Sequence, residues 1–302
     1  MQAQRTLKSS IRTTGIGLHS GKKVKLILTP APVDTGVVFT RSDIKGSPSI
    51  KATPLNVGDA VLNTTLINEH GVKVSTIEHL MSALAGMGVD NLYVSLTAEE
   101  VPIMDGSASP FLYLIQSAGI EEQSAYKKFI KIKRKIEVSK GDIYASLEPS
   151  NGFKVAFEID FQHPAVIDTQ QIMEVDLSRE SYSSAIARAR TFGFMKDVEM
   201  MRSKNLGLGG NLGNAVVLDD YRVLNDNLRY DDEFVTHKIL DAIGDLYTLG
   251  YGIMGRFYGY KSGHAVNNLL VRQLLKEQDA WELVSAEAQV TPPISYQTAL
   301  VF

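Results

Sequence analysis

Residues 75–88 read STIEHLMSALAGMG, and at this stretch the chain changes from strand patterns to a helical pattern. Its apolar residues recur at the spacing of one helix face, namely Ile77, Leu80, Met81, Leu84 and Ala85. Ser75 or Thr76 is suited to cap the start of a helix here, and Gly86 and Gly88 are suited to end it. The stretch therefore predicts a helix that follows a set of strands.

Strand patterns surround this helix in the first half of the chain. Short apolar stretches at 24–28 and 36–39 are separated by Pro30 and Pro32, which are typical of turns. After the helix, residues 91–96 have the composition of a buried strand. The first half therefore follows the order strands, helix, strand.

The second half follows the same order after a polar stretch at 121–125, which is the best candidate for a linker. Its apolar patterns predict strands at 130–138, 144–147 and 153–161, a helix at 234–249 and a strand at 253–260. A length of 302 residues also fits two domains of about 150 residues. We therefore predict an α+β protein of two similar domains, residues 1–124 and 125–302.

Composition and charge exclude several classes of protein. The net charge of −3 provides no general attraction to a nucleic-acid backbone, so no nucleic-acid partner is expected. The chain has no cysteine, which excludes disulfides, thiolate metal ligands and a cysteine nucleophile. No apolar run reaches the ~18 residues of a membrane span, and residues 1–15 lack the apolar segment of a signal peptide. We expect a cytoplasmic protein without a membrane anchor.

One pair of residues in the predicted second-half helix has the spacing of metal ligands. His237 and Asp241 are four residues apart, which places both on one helix face. Asp245 continues that face by one turn, and buried carboxylates are costly unless they have partners. The pattern predicts a metal site, although polar residues on the surface of a helix produce the same spacing.

The first-half helix offers a third ligand and a base. Glu78 and His79 are adjacent, and zinc hydrolases combine ligating side chains with a nearby carboxylate that accepts a proton from water. A glutamate in the first helical turn beside a surface histidine is the simpler alternative. His264, in a glycine-containing turn after a strand, is a candidate general acid that Asp245 would orient.

Two glycine-rich stretches fail the tests for nucleotide binding. Residues 15–23 depart from the P-loop pattern at Ile16 and Lys23, and they predict a turn. Residues 207–213 have Leu212 where a dinucleotide fingerprint needs its third glycine, and they predict a mobile surface loop. The residues alone therefore indicate a metal-dependent hydrolase and leave its substrate open.

Seven strings of residues, in order over nearly the whole chain, resemble one family, the UDP-3-O-acyl-N-acetylglucosamine deacetylases of lipid A biosynthesis in Gram-negative bacteria. They lie at residues 14–21, 75–80, 102–107, 188–194, 220–225, 237–246 and 261–265. The resemblance implies two similar domains, each a β-sheet layered on α-helices, with the active site between them. It also implies zinc-dependent hydrolysis of the N-acetyl group of UDP-3-O-(3-hydroxyacyl)-N-acetylglucosamine, which releases acetate at a committed step of the pathway.

The resemblance also assigns roles to individual residues. It implies that His79, His237 and Asp241 bind Zn²⁺, although such ligands also suit Fe²⁺. The implied catalytic residues are Glu78 as the base, His264 as the acid, Asp245 as its orienting carboxylate, Thr191 as an oxyanion donor and Lys238 as a substrate contact.

Substrate contacts follow from the same resemblance. The implied residues are Leu18, Phe161, Phe192, Met195, Val198, Gly210, Ala215, Val217 and Lys261. Phe161 and Lys261 match positions that face UDP, while an insert at about 192–220 matches the part that shapes a passage for the acyl chain. As a bare pattern, the apolar residues of 195–201 fit core packing as well as an apolar groove.

Two positions depart from the family, and two alternatives stay open. Ile143 stands where some relatives have a lysine that faces the diphosphate, and Asn63 stands where some have a cysteine near the metal. A zinc amidohydrolase for another acylated nucleotide sugar would use the same three ligands. A binding module stabilised by metal is disfavoured, because a closed structural site needs a fourth protein ligand. The oligomeric state stays open.

Overall fold

The computed structural model describes residues 2–46, 48–60, 62–287 and 293–296. Helices and sheets are mixed along the chain, so the predicted α+β class is confirmed. The strands of the first half are β1 (Ala3–Leu7), β2 (Ile11–Ile16), β3 (Lys23–Pro30), β4 (Val37–Arg41), β5 (Ile50–Lys51), β6 (Val57–Asp59), β7 (Thr65–Ile67), β8 (Lys73–Val74) and β9 (Leu92–Leu96). Its helices are α1 (Glu78–Met87) and α2 (Ser109–Ala118).

The second half has more strands and helices than its sequence patterns predict. Its strands are β10 (Ile120–Tyr126), β11 (Lys128–Ile132), β12 (Ile136–Lys140), β13 (Ile143–Glu148), β14 (Phe153–Glu158), β15 (Ile172–Asp176), β16 (Phe192–Phe194), β17 (Val216–Leu218), β18 (Gly252–Tyr260) and β19 (Trp281–Ser285). Its helices are α3 (Pro164–Ile167), α4 (Tyr182–Ala185), α5 (Met195–Ser203), α6 (Glu233–Tyr247) and α7 (His264–Lys276).

A five-stranded sheet, in the order β2-β3-β9-β4-β5, forms the framework of the first half. Alternate side chains of β3 point into the core, where Val24, Leu26 and Leu28 are buried. The predicted helix is confirmed as α1, which contacts α2 and, more extensively, α6. Gly88 follows it with a φ of 64°, the left-handed conformation that ends many helices.

The predicted cap of α1 is wrong. The residue before the helix is Ile77, and no side chain caps the first turn. Thr76 instead has a φ of 57°, and its hydroxyl donates a hydrogen bond of 3.0 Å to Glu100. The hydroxyl is therefore occupied by a residue that is distant in sequence, which local pattern does not reveal.

Strand β18 lies at the centre of the seven-stranded sheet of the second half. It pairs antiparallel with β13 and parallel with β11 and β14. Helix α6 contacts β14 and β15 of this sheet, and α7 contacts β12 and β13. The single strand predicted at 130–138 is wrong, because β11 ends at Ile132 and β12 begins at Ile136. The charged residues 133–135 between them are exposed, and the amide of Lys133 donates to Ala280 at 2.8 Å instead of continuing the ladder.

The polar stretch at 121–125 is a paired strand rather than an irregular linker. It belongs to β10, which pairs antiparallel with β1 at the start of the chain. The predicted division between residues 124 and 125 falls inside this strand. The division into two domains stays a prediction.

Helices α1 and α6 approach each other closely at Gly244. A Cβ atom at this position would lie 2.8 Å from the carbonyl carbon of Glu78, so a larger residue would push the helices apart. Close contact here brings the start of α1 against the middle of α6. Among the described helices, none combines the length and apolar character needed to span a bilayer.

Candidate active site

Three possible metal ligands meet where the start of α1 lies against α6. They are His79 on α1 and His237 and Asp241 on α6, all buried, with ligand atoms within 4.8 Å of one another. Nε2 of His237 lies 3.3 Å from Oδ1 of Asp241, and Nε2 of His79 lies 3.5 Å from the same oxygen. The four-residue spacing in α6 therefore places two side chains together, and the packing of α1 on α6 adds the third.

The chemistry of these three side chains fits a divalent cation. Oδ1 of Asp241 is buried without a hydrogen-bond partner among the described residues, which is costly unless a ligand satisfies it. Nδ1 of His237 lies 3.1 Å from the carbonyl oxygen of Ala189, and this bond requires the proton on Nδ1, so Nε2 is free to bind a metal. Burial lowers the pKa of His237 to about 4, which keeps the imidazole neutral, as a ligand must be.

Glu78, the first residue of α1, places a buried carboxylate beside the ligands. Its Oε2 accepts a hydrogen bond of 3.0 Å from the backbone amide of Thr64, and its Oε1 lies 4.0 Å from Nε2 of His264. Burial raises the pKa of the Glu78 carboxyl group above its usual value. A carboxylate in this setting is suited to accept a proton from water.

The structure corrects the setting of His264, which is the first residue of α7 and not part of a turn. Its Nδ1 lies 2.9 Å from Oδ2 of Asp245. Asp245 also accepts hydrogen bonds from Oγ1 of Thr64 at 2.6 Å and from Nδ2 of Asn267 at 2.8 Å. Burial alone would lower the pKa of His264, but the carboxylates of Asp245 and Glu78 outweigh it and raise that pKa to about 9. The imidazole is therefore protonated at neutral pH.

The two other predicted catalytic residues are Thr191 and Lys238. The amide of Thr191 donates to the carbonyl of Gly106 at 2.8 Å, and the carbonyl of Thr191 accepts from the amide of Val216 at 2.8 Å. These two bonds fix the backbone that carries its hydroxyl. Lys238 follows His237 on α6, and its Nζ lies 3.3 Å from Oδ2 of Asp241.

An apolar cavity of about 350 Å³ opens beside Thr191. Seven of the nine predicted substrate contacts line it, namely Leu18, Phe192, Met195, Val198, Gly210, Ala215 and Val217. The predicted turn within 15–23 and the loop 207–213 meet at its wall, because the amides of Leu208 and Gly209 donate to the carbonyls of His19 and Leu18 at 3.1 and 3.0 Å. A cavity of this size and composition suits an apolar chain.

The other two predicted substrate contacts lie outside this cavity wall. The ring of Phe161 packs edge-on against the ring of Phe192, with centroids 5.6 Å apart, so it adjoins the cavity. Lys261 forms ion pairs of 2.9 Å with Asp142 and 2.8 Å with Asp160. Its ammonium group is therefore shared between two exposed carboxylates that an anionic ligand would have to displace.

The two positions that depart from the family are Asn63, near His19, and Ile143, next to Asp142. Asn63 lines a groove that also includes His19, and its Oδ1 accepts a hydrogen bond of 2.7 Å from Oγ1 of Thr65. Ile143 is the first residue of β13 and directly follows Asp142.

Sequence reasoning missed three residues that shape this site. Thr64 and Asn267 both hold Asp245, and Thr64 also holds Glu78. Asn267 lies three residues after His264, a helical spacing that would have been informative had α7 been predicted. His19, which no sequence pattern singles out, lines the cavity, and burial lowers its pKa.

Comparisons with known proteins agree over nearly the whole chain. A family model described as LpxC, UDP-3-O-acyl N-acetylglycosamine deacetylase, matches residues 4–276. A protein of Thioalkalivibrio sulfidiphilus (strain HL-EbGR7) named UDP-3-O-acyl-N-acetylglucosamine deacetylase is 60% identical over 298 residues, which are 98% of each chain. Proteins of the same name from Marinobacter nauticus and Hahella chejuensis are each 57% identical over 297 residues, which are 98% of this chain and 97% and 98% of theirs.

Proposed function

We propose that this chain, which belongs to the UDP-3-O-acyl N-acetylglycosamine deacetylase family, hydrolyses the N-acetyl group of UDP-3-O-(3-hydroxyacyl)-N-acetylglucosamine and releases acetate. The reaction would be a committed step of lipid A biosynthesis in the cytoplasm of a Gram-negative bacterium. The observation that carries the proposal is the meeting of two buried side chains suited to move a proton with three side chains able to hold a metal. Oε1 of Glu78 and Nε2 of His264 lie 4.0 Å apart, and His79 is adjacent to Glu78.

The three ligand residues, His79, His237 and Asp241, would hold Zn²⁺ or Fe²⁺. A divalent metal there would polarise the amide carbonyl and lower the pKa of water. Histidine nitrogens and carboxylate oxygens are ligand atoms that such ions bind. Three protein ligands leave a coordination position open, which is the arrangement of a catalytic rather than a structural site.

Proton transfer would be carried by two side chains. Glu78 would take a proton from the attacking water as the new C–O bond forms, and its raised pKa suits it to hold that proton. His264, protonated at neutral pH, would give its Nε2 proton to the amide nitrogen as the C–N bond breaks. Asp245 would keep the imidazole oriented through its bond to Nδ1. The products are acetate and the free amine.

Substrate positioning would be shared by the remaining residues. The hydroxyl of Thr191 would donate to the oxyanion, and Lys238 would contact the substrate near the ligands. The apolar cavity beside Thr191 would hold the acyl chain. Phe161 and Lys261 would contact UDP by ring stacking and by charge.

The test is acetate release from the UDP-linked substrate by the purified protein before chelation, after chelation and after addition of Zn²⁺ or Fe²⁺. We expect activity to disappear on chelation and to return with metal. Glu78→Gln should lower kcat by about 100-fold or more, because general acid–base catalysis contributes on the order of 10² to 10⁴. Glu69→Gln, at an exposed position, is the matched control.

A metal-loaded and folded protein that releases no acetate would refute the substrate assignment. Other N-acylated nucleotide sugars would then be screened, since the same three ligands would serve them. If Glu78→Gln retained the activity of Glu69→Gln, the assignment of the base would be wrong.

A further inference from the structure

Glu100 is a buried carboxylate that the proposed reaction does not use. Glu100 is 1% exposed, and its described hydrogen bonds come from two backbone amides and one hydroxyl, while the imidazole of His19 interacts with it electrostatically. Oε1 accepts hydrogen bonds from the backbone amide of His19 at 2.9 Å and from Oγ1 of Thr76 at 3.0 Å. Oε2 accepts from the backbone amide of Ser20 at 2.9 Å. One carboxylate therefore joins two separate segments of the chain.

The first of these segments leads directly into the catalytic helix. Thr76 is a β-branched residue with a φ of 57°, a conformation that such residues rarely adopt without support from their surroundings. Ser75 before it is held on both sides, since its amide donates to Glu99 at 2.8 Å and its carbonyl accepts from Val101 at 3.0 Å. Thr76 therefore forms the bend between the hydrogen-bonded Ser75 and Glu78, which begins α1 two residues later.

The second segment is the turn at residues 17–20, which forms part of the cavity wall. Leu18 and His19 of this turn line the apolar cavity. Their carbonyl groups accept hydrogen bonds from the backbone amides of Leu208 and Gly209. The turn is therefore held between Glu100 and the loop of the second half.

We propose that Glu100 is a positioning residue that couples the wall of the apolar cavity to Glu78 and His79 at the start of α1. The inference rests on the proposed function, because it assigns Glu100 a role in that reaction. A carboxylate is needed, since all three partners are donors and both of its oxygens accept. A glutamine would point its amide NH₂ group at one of these donors and break that contact.

The kinetic test compares Glu100→Gln with Glu99→Gln, at the neighbouring position, where the half-buried side chain pairs with Lys22 at 2.7 Å. Acetate release is measured with a long and a short 3-O-acyl substrate. Displacement of reacting groups by ~1 Å costs on the order of 100-fold in rate. We expect a smaller displacement in Glu100→Gln, which should lower kcat about tenfold. It should also reduce the preference in kcat/KM for the long chain, since the cavity wall loses its support. Glu99→Gln should keep both values.

Variants of Thr76 test the other end of the same contact. Thr76→Val removes the hydroxyl and keeps the shape, and it should lower kcat as Glu100→Gln does. Thr76→Ser keeps the hydroxyl and should retain the wild-type kcat. The double variant Glu100→Gln/Thr76→Val should lose less activity than the product of the single losses, because both substitutions remove contacts of the same carboxylate.

Hydrogen exchange gives a readout that needs no substrate. Amides of residues 17–20 and 76–79 should exchange faster in Glu100→Gln than in Glu99→Gln, with the rest of the protein unchanged. If both segments exchanged at the same rate in Glu100→Gln as in Glu99→Gln, the proposal would be overturned. A lower melting temperature with unchanged kcat and chain preference would also overturn it, as it would show a purely structural role. A wild-type protein that releases no acetate would refute the proposed function, while exchange would still decide whether Glu100 positions both segments.

Discussion

Replacement of Gly244 by alanine should separate the two helices that carry the proposed metal ligands. The new Cβ atom would lie 2.8 Å from the carbonyl carbon of Glu78, whereas carbon atoms pack at about 3.5–4.0 Å. Helices α1 and α6 would therefore have to move apart by roughly 1 Å, and His79 would move away from His237 and Asp241. Metal coordination tolerates deviations of only about 0.2 Å, so Gly244→Ala should weaken zinc binding by about tenfold or more.

The same substitution should also affect stability. Overpacking costs about 1–3 kcal/mol, and the higher helix propensity of alanine offsets about 1 kcal/mol of that cost. We therefore expect a net loss of about 0–2 kcal/mol in the free energy of unfolding. Zinc affinity is measured by competition with a chelator, and stability by urea unfolding of the zinc-stripped protein.

Gly193→Ala is the matched control for this experiment. Its added Cβ would meet no heavy atom within 4 Å among the described residues, so its zinc affinity should stay at the wild-type value. If Gly244→Ala bound zinc and unfolded in urea as the wild type does, the argument from helix contact would be refuted.

Three further predictions concern His264 and the apolar cavity. Asp245→Asn should lower the pKa of His264 from about 9, because it removes the neighbouring carboxylate, and the fall of kcat/KM at high pH should begin at lower pH. The pKa of His264 is about 9 in the folded protein, above the ordinary histidine value of 6.5. In the zinc-stripped protein its contribution to the free energy of unfolding should therefore be complete below pH 6.5, and on the order of 3 kcal/mol should be lost as the pH rises to about 9. Urea unfolding at several pH values measures this loss, which His264→Asn should lack. Gly210→Val should fill the cavity near Leu18, which lies 3.5 Å from a Cβ at this position, and should raise KM for long acyl chains more than for short ones.

Local patterns were sufficient for the main helices. The apolar spacing in residues 75–88 and 234–249 predicted α1 and α6, because a helix that buries one face must repeat its apolar residues at that spacing. The same spacing predicted that His237 and Asp241 would lie together, and their ligand atoms are 3.3 Å apart. Such relations lie within a few residues of the chain.

Patterns failed where distant residues decide the local structure. The sequence pattern offers Ser75 or Thr76 as the cap of α1, but no side chain caps this helix, and the hydroxyl of Thr76 is used by Glu100, 24 residues away. The sequence pattern predicts a turn at His264, although α7 begins with this residue. The strand predicted at 130–138 is interrupted, because Lys133 bonds to Ala280.

The sequence by itself determined the α+β class, the two principal helices and the side chains able to bind a metal or move a proton. The tertiary structure decided which of them meet. His79 joins the two ligands of α6 because Gly244 allows α1 to approach, and Thr64 reaches Asp245 across 181 residues at 2.6 Å. Periodicity records which face of an element is buried, but it carries no information about which element covers that face.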